Sequence, residues 1–271
     1  MTYFGFLGIF VIIPLFIVSV VTWWDWRQNR TLPPELLNWP AWLTLAGHVV
    51  VAVLYTTPWD NYLIASRVWW YDPQLVTGIL LGWVPLEEYI FFMLQPLLTG
   101  LWLLWLARRL ALRPMADAVS GQLRRAATLL AGLVWLGSVV MLVAGWRPGT
   151  YLALELVWAL PPIMLQLAFG ADLLWRHRRL ILLTLIPATL YLSAADAMAI
   201  GAGTWTINPD LSLNIYLGGV LPLEEFLFFL LTNTLLSFGM VLVLSRQSQA
   251  RLNEALERHP LWKSLVRSSY S

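Results

Sequence analysis

Two short acidic runs hold the residues of this chain best suited to chemistry, Pro85-Leu86-Glu87-Glu88 and Pro222-Leu223-Glu224-Glu225. Each is followed by paired phenylalanines, Phe91-Phe92 and Phe228-Phe229. Both runs lie in strongly apolar sequence, where an acidic side chain costs on the order of 2.5 to 3.5 kcal/mol near the centre of an inserted helix. No Lys or Arg falls within the apolar stretches 41–59, 78–106, 180–199 or 213–244. Desolvation without a cationic partner disfavours an ionised carboxylate, so at least one carboxyl in each pair is expected to be protonated at neutral pH. A neutral buried carboxylic acid is a proton donor, and a second carboxylate beside it can take a proton up. Asp60 and Asp196 stand 27 and 28 residues before the first Glu of each run. Either they extend the site by hydrogen bonding to the glutamates, or they simply close a helix.

The prolines admit two readings. Pro85 and Pro222 as first helical residues, with Glu in the first turn, would be an ordinary helix start favoured by the helix dipole, leaving the glutamates hydrated at an interface. The apolar residues before each proline, Ile79 to Val84 and Ile215 to Leu221, instead favour a proline break inside the membrane that lines a cavity. Aromatic residues near the runs, Trp83, Tyr89, Phe91, Phe92, Phe228 and Phe229, are candidates to line a substrate site, and together with Trp69, Trp70 and Trp205 they are candidates to stabilise a carbocation with their ring faces. For any one of them plain helix packing is the simpler fate. Most of the 17 tryptophans are expected in an interfacial belt. His48 has no ligand partner one helical turn away, and His177 and His259 read as charge outside the spans, so no metal site is expected.

Positioning these residues is the work of a chain that is 59% hydrophobic and only 12% charged, against about 25% charged in soluble domains. Apolar runs long enough to cross a hydrocarbon core recur throughout. The spacing predicts an all-α integral membrane protein with seven spans, at about 3–24, 41–59, 78–106, 127–145, 150–171, 180–199 and 213–244. The first is expected to be a retained span and not a cleaved signal. With the N-terminus outside and the C-terminus cytoplasmic, every Lys and Arg except Arg67 and Arg147 falls on the inner side. Absence of cysteine removes thiolate chemistry and disulfides, and a net charge of +2 gives no reason to expect nucleic acid. The tail 246–271 mixes cations with leucines; it is either an interfacial helix on the inner face or a frayed soluble tail.

An internal repeat emerges on aligning the halves. Asp60 and Pro73 match Asp196 and Pro209 at an offset of 136, the acidic runs match at 137, and Pro14 and Asp25 match Pro161 and Asp172 at 147. Residues 1–245 therefore read as one membrane domain: repeat one at 3–106, a linker helix at 127–145 and repeat two at 150–244. An odd crossing between the two makes them parallel, with both acidic runs at one depth.

The twin runs Pro85-Leu86-Glu87-Glu88-Tyr89-Ile90-Phe91-Phe92 and Pro222-Leu223-Glu224-Glu225-Phe226-Leu227-Phe228-Phe229, each with its upstream Asp, closely resemble the membrane-integral lycopene cyclases. These comprise the heterodimeric bacterial cyclases, their fused archaeal counterparts and the cyclase domain of the fungal bifunctional cyclase and phytoene synthase. The resemblance covers nearly the whole chain. It implies acid-initiated, redox-neutral cyclisation of the linear ψ end groups of lycopene to γ-carotene and β-carotene or other rings, with Glu87, Glu88, Glu224 and Glu225 as the acidic motif. It also implies a lipophilic carotenoid and membrane lipids as partners, association with other carotenoid-forming enzymes, and placement in the cell membrane. The Gly-rich fingerprint of the flavin-dependent cyclases is missing, so no flavin or nicotinamide is expected. The rival from another class is a small-solute or proton-coupled transporter, in which the twin acidic pairs would couple protons.

Overall fold

A computed structural model describes residues 1–110 and 120–258. Seven of its helices are long and apolar enough to cross a membrane: α1 (Tyr3–Arg27), α2 (Ala41–Ala65), α3 (Leu86–Ala107), α4 (Gly121–Val143), α5 (Thr150–Arg176), α6 (Arg178–Gly201) and α7 (Leu223–Leu244). A short helix, α8 (Arg246–Arg258), follows. Arg113 and the residues from His259 to the C-terminus, on which part of the charge count and of the tail reading rests, lie outside the described residues.

The centre of the bundle is the pair α3 and α7. Helix α3 packs on α1, α2, α6 and α7, and α7 packs on α2, α3, α5 and α6, whereas α4 lies along α5 at the periphery. Midway along the central pair, Gln95 Nε2 and Thr99 Oγ1 both donate to Asn233 Oδ1, at 2.8 and 2.9 Å. Asn233 in turn donates to Thr189 at 3.3 Å, so the amides buried at this crossing hold one another in register.

The third and seventh helices begin at Leu86 and Leu223, later than the expected starts at 78 and 213. The residues before them form antiparallel hairpins instead. The first pairs β2 (Leu80–Leu81) with β3 (Val84–Pro85), and the second pairs β5 (Tyr216–Leu217) with β6 (Leu221–Pro222). Gly82 at φ +73° opens the two-residue turn of the first hairpin, the position at which such a turn requires a positive φ. The second turn, Gly218-Gly219-Val220, is longer by one residue. That extra residue accounts for the change of offset from 136 to 137. A third ribbon pairs β1 (Trp69–Tyr71) with β4 (Trp205–Ile207) across the two halves, over the helix ends that carry the acidic runs.

Proline inside a helix removes one N–H and frees the carbonyl four residues earlier. Here four such carbonyls are captured by aromatic donors from neighbouring helices, as membrane interiors demand. Pro14 frees Phe10, which accepts from the Tyr191 hydroxyl at 3.0 Å. Pro161 and Pro162 free Val157 and Trp158, which accept from Trp135 Nε1 at 3.3 Å and the Tyr55 hydroxyl at 2.8 Å. Pro187 frees Leu183, which accepts from Trp102 Nε1 at 3.2 Å. Several aromatic residues therefore act as interhelical ties, not as belt residues.

At the end of the bundle away from the acidic runs, Asp25 and Asp172 are both buried and paired. Asp25 pairs with Arg109, and Asp172 accepts two hydrogen bonds from Arg251 of α8, at 2.9 and 2.6 Å. The start of the tail is thus a helix docked through Arg251, with Leu252 and Leu256 facing outward.

Candidate active site

The structure combines parts of both readings of the prolines. Helices do start beside Pro85 and Pro222, yet the four glutamates that follow are buried, none more than 7% exposed. The β1–β4 ribbon and the first turns of α1 and α5 cover them.

Each Glu-Glu pair divides in two. Glu87 Oε1 accepts from the Thr77 backbone N–H at 2.6 Å, and Glu224 Oε1 accepts from the Leu213 N–H at 2.7 Å. These two carboxyls tie down the loops that lead into the hairpins and do not line the cavity described next. Glu88 and Glu225 point the other way, toward a common cavity of about 40 Å³ that they share with Asp60 and Asp196. Its walls are aromatic: Phe6, Trp59, Trp69, Phe91, Phe92, Trp205, Phe228 and Phe229. Of the expected lining residues, Phe91, Phe92, Phe228 and Phe229 are there. Trp83 is not, because it sits at the tip of the first hairpin, 61% exposed. Tyr89 is not either, since its hydroxyl donates to the Leu81 carbonyl at 2.7 Å and accepts from Asn61 at 3.2 Å, pinning the same hairpin.

Tyrosines complete the site. The Tyr3 hydroxyl donates to Glu88 Oε2, and the Tyr71 hydroxyl donates to that same oxygen at 2.8 Å. Glu225 Oε1 accepts from Tyr151 at 2.7 Å. Asp196 Oδ1 accepts from Trp205 Nε1 at 2.9 Å, while Asp60 Oδ2 and Asp196 Oδ2 are buried without a partner. Burial is the main influence on the Tyr71 hydroxyl, followed by the neighbouring Glu88 carboxyl, and together they hold its pKa well above the ordinary phenol value, so it remains a donor. Glu155 lies beside this cluster, fully buried, with neither carboxylate oxygen hydrogen-bonded. The ion pairs of the described residues involve none of these acids.

Matching backbone contacts hold the two tyrosines of the first turns. Tyr3 N–H donates to Leu75 O at 2.8 Å, and Tyr151 N–H donates to Leu211 O at 2.9 Å. Sequence comparison missed this correspondence because Tyr3 is one residue farther from Pro14 than Tyr151 is from Pro161. The extra residue falls where α1 is wound as a π-helix, Leu7–Ile12, whose wider turns take up one residue more. Tyr71 has no signal of this kind, and Trp205 is signalled only by lying near the second acidic run. They reach the site only because β1 and β4 pair, with Tyr71 opposite Trp205.

What fold and site define together is a helical membrane-type protein with phenol donors, carboxyls and aromatic faces around one small cavity, an arrangement suited to moving protons on an apolar molecule. A family profile described as Lycopene cyclase matches residues 30–106 and 148–244, leaving out the stretch that contains α4. The chain belongs to the lycopene cyclase family. It is 40% identical over 247 residues to the lycopene beta-cyclase of Halobacterium salinarum, covering 89% of this chain and 95% of that protein. The bifunctional lycopene cyclase/phytoene synthases of Aspergillus niger and Podospora anserina are 36% and 35% identical, over 71% and 73% of this chain but only 33% and 34% of their own lengths. No solved structure matches the chain.

Proposed function

We propose that this protein cyclises the linear ψ end groups of lycopene by acid–base catalysis, forming β-type rings through γ-carotene to β-carotene. The observation that carries the reading is that Glu88 and Glu225, from two separate helices, face one small cavity walled by aromatic rings, with phenol donors and no Lys or Arg among its lining residues. The relative named lycopene beta-cyclase supports the ring type.

In the reaction a carboxylic acid protonates the terminal double bond of the ψ end, leaving a tertiary cation. The neighbouring alkene attacks it, closing a six-membered ring and moving the cation into the ring. A carboxylate then removes a ring proton and a double bond forms. One proton enters and one leaves, so no oxidant or reductant is involved. Glu88 is the better acceptor, because one of its oxygens receives two phenol hydrogen bonds, which suit a carboxylate. Glu225, with a single phenol and with Glu155 and Glu224 as close acidic neighbours, is the donor. The ring faces of Trp59, Phe91, Phe228 and Phe229 stabilise the intermediate cation, and enclosure excludes the water that would quench it.

The reading includes two parallel three-helix halves joined by α4, with the N-terminus outside and the chain in the cell membrane. Contacts exchanged between the halves support it: Asp72 N–H donates to Thr204 O, and Asn208 N–H donates to Val68 O. So does the gathering of Arg109, Arg124 and Arg251 at the end opposite the acids. The family's other carotenoid-forming enzymes are the expected associates.

The test is pigment analysis after expression in a lycopene-accumulating host. Ring-bearing carotenes are expected with the wild type and lost with Glu88→Gln and Glu225→Gln. Unchanged lycopene in the presence of well-inserted wild-type protein refutes the assignment.

A further inference from the structure

We propose that the slot between α2 and α5 is the binding site for the straight polyene stem of the substrate, entered sideways from the bilayer; the inference rests on the cyclase reading above. The acid cavity, at about 40 Å³, has room for little more than a water molecule or two. It cannot contain a carotenoid. A second cavity of about 670 Å³ adjoins it, and the two share the side chains of Phe91, Phe92 and Phe228 as a common wall. This volume lies in the usual range for small-molecule sites. Its lining follows α2 from Leu43 to Thr56, a stretch about 20 Å long at the helical rise. A long, narrow site of this kind suits an extended chain.

The slot is open to the lipid side. Leu43 and Val51 line it and are 40% and 62% exposed, and Gly47 between them is also exposed. Helices α2 and α5 have few close approaches, and near the acid cavity they are joined by a latch of hydrogen bonds, one of them from Trp59 Nε1 to Leu154 O at 3.2 Å. The Tyr55 hydroxyl donates to Trp158 O at 2.8 Å and Trp158 Nε1 donates back to Tyr55 O at 3.4 Å. Trp59 stacks on Trp158 with ring centroids 4.4 Å apart. On the Leu43 side of the latch the slot is lined by the exposed Leu43, Gly47 and Val51, so a molecule dissolved in lipid reaches it without crossing water.

Polar side chains in the wall have turned their hydrogen bonds back into the protein. His48 Nδ1 lies 2.7 Å from Thr44 O, Gln166 Nε2 donates to Leu235 O at 3.0 Å, and Gln95 donates to Asn233. What faces the slot is therefore mainly hydrocarbon and aromatic surface, while Gln166 Oε1 and Thr44 Oγ1 are buried without a partner. A polyene fits such a wall, whereas a hydrated solute would lose its water without replacement. With the stem in the slot, one end group meets Phe91, Phe92 and Phe228 and enters the acid cavity when these rings part.

Gly47 offers a clean test, because a Cβ built there meets no atom within 4 Å, so a larger side chain projects into the slot without displacing the helix. Gly47→Trp and Gly47→Phe are compared with wild type in proteoliposomes, using lycopene and an acyclic polyene of about half its length that carries the same end group. Gly137→Phe, on peripheral α4 and equally free of neighbours, is the control. The ratio of lycopene conversion to short-polyene conversion is expected to fall about tenfold or more in the Gly47 variants, as overpacking of a filled site implies, and to stay at the wild-type value in the control. An unchanged ratio in folded Gly47→Trp and Gly47→Phe overturns the proposal, whether both substrates are converted normally or both are lost together. Should Gly47→Trp fail to accumulate, Gly47→Phe decides. Failure of the wild type to convert either substrate would instead overturn the cyclase reading.

Discussion

Glu87→Gln and Glu88→Gln are the same chemical change at adjacent residues, and the structure assigns them opposite consequences. Glu87 accepts the Thr77 N–H at 2.6 Å and does not reach the cavity. Glutamine retains a carbonyl oxygen for that bond, but its NH2 takes the place of Oε2, which is buried without a partner, so the loss is that of orphaned donors, about 1–3 kcal/mol. For a protein of this size each kcal/mol lowers Tm by roughly 2–4 °C, while turnover stays near the wild-type rate. Glu88 has the Tyr3 and Tyr71 hydroxyls on one oxygen and opens on the cavity. An amide there cannot accept the ring proton, and removal of a general base costs about 10²–10⁴ in rate. The assay is initial-rate conversion of lycopene by purified protein in proteoliposomes, with pigments separated by chromatography and thermal unfolding followed in parallel. Equal loss of rate in the two variants, with both folded, would refute the division of labour within the acidic run. So would a Glu88→Gln enzyme that works normally.

The mirror comparison should give the same split in the second half: Glu224→Gln active, Glu225→Gln inactive by the same conversion assay. Tyr55→Phe orphans the Trp158 carbonyl freed by Pro162 and is expected to lower stability by about 1–3 kcal/mol, read as a drop in Tm in detergent, with Tyr191→Phe behaving alike through the Phe10 carbonyl. Arg251→Ala leaves the buried Asp172 without its two-point partner; a loss of about 3 kcal/mol is expected, and Asp172→Asn in the same chain should recover part of it in a double-mutant thermal-unfolding comparison. Gly82→Ala places a methyl group against the Asn61 side chain at a φ of +73° and should destabilise the first hairpin, seen as faster proteolysis at the Leu81–Trp83 tip.

Length and apolar periodicity were enough to find seven spans in the sequence, because membrane crossing is a local property of about 20 residues and needs no partner. The acidic runs were legible for a similar reason: charge in apolar sequence is costly wherever it folds. The hairpins before Pro85 and Pro222 were not legible, since apolar residues of short strands and of a helix end look alike without periodicity over several turns. Tyr3 was hidden by the one-residue π-helical insertion in α1.

By composition alone, then, the chain determined that it would cross a bilayer and that four glutamates would need shelter. Which glutamates face the cavity and which hold loops was decided by tertiary structure, because adjacent residues on a helix point about 100° apart and only the packed neighbours say which direction is the cavity. The same holds for Tyr71, Trp205, Tyr55 and Trp158. Their roles exist only between elements distant in sequence, where a hydrogen bond in a water-free interior ties one helix or strand to another.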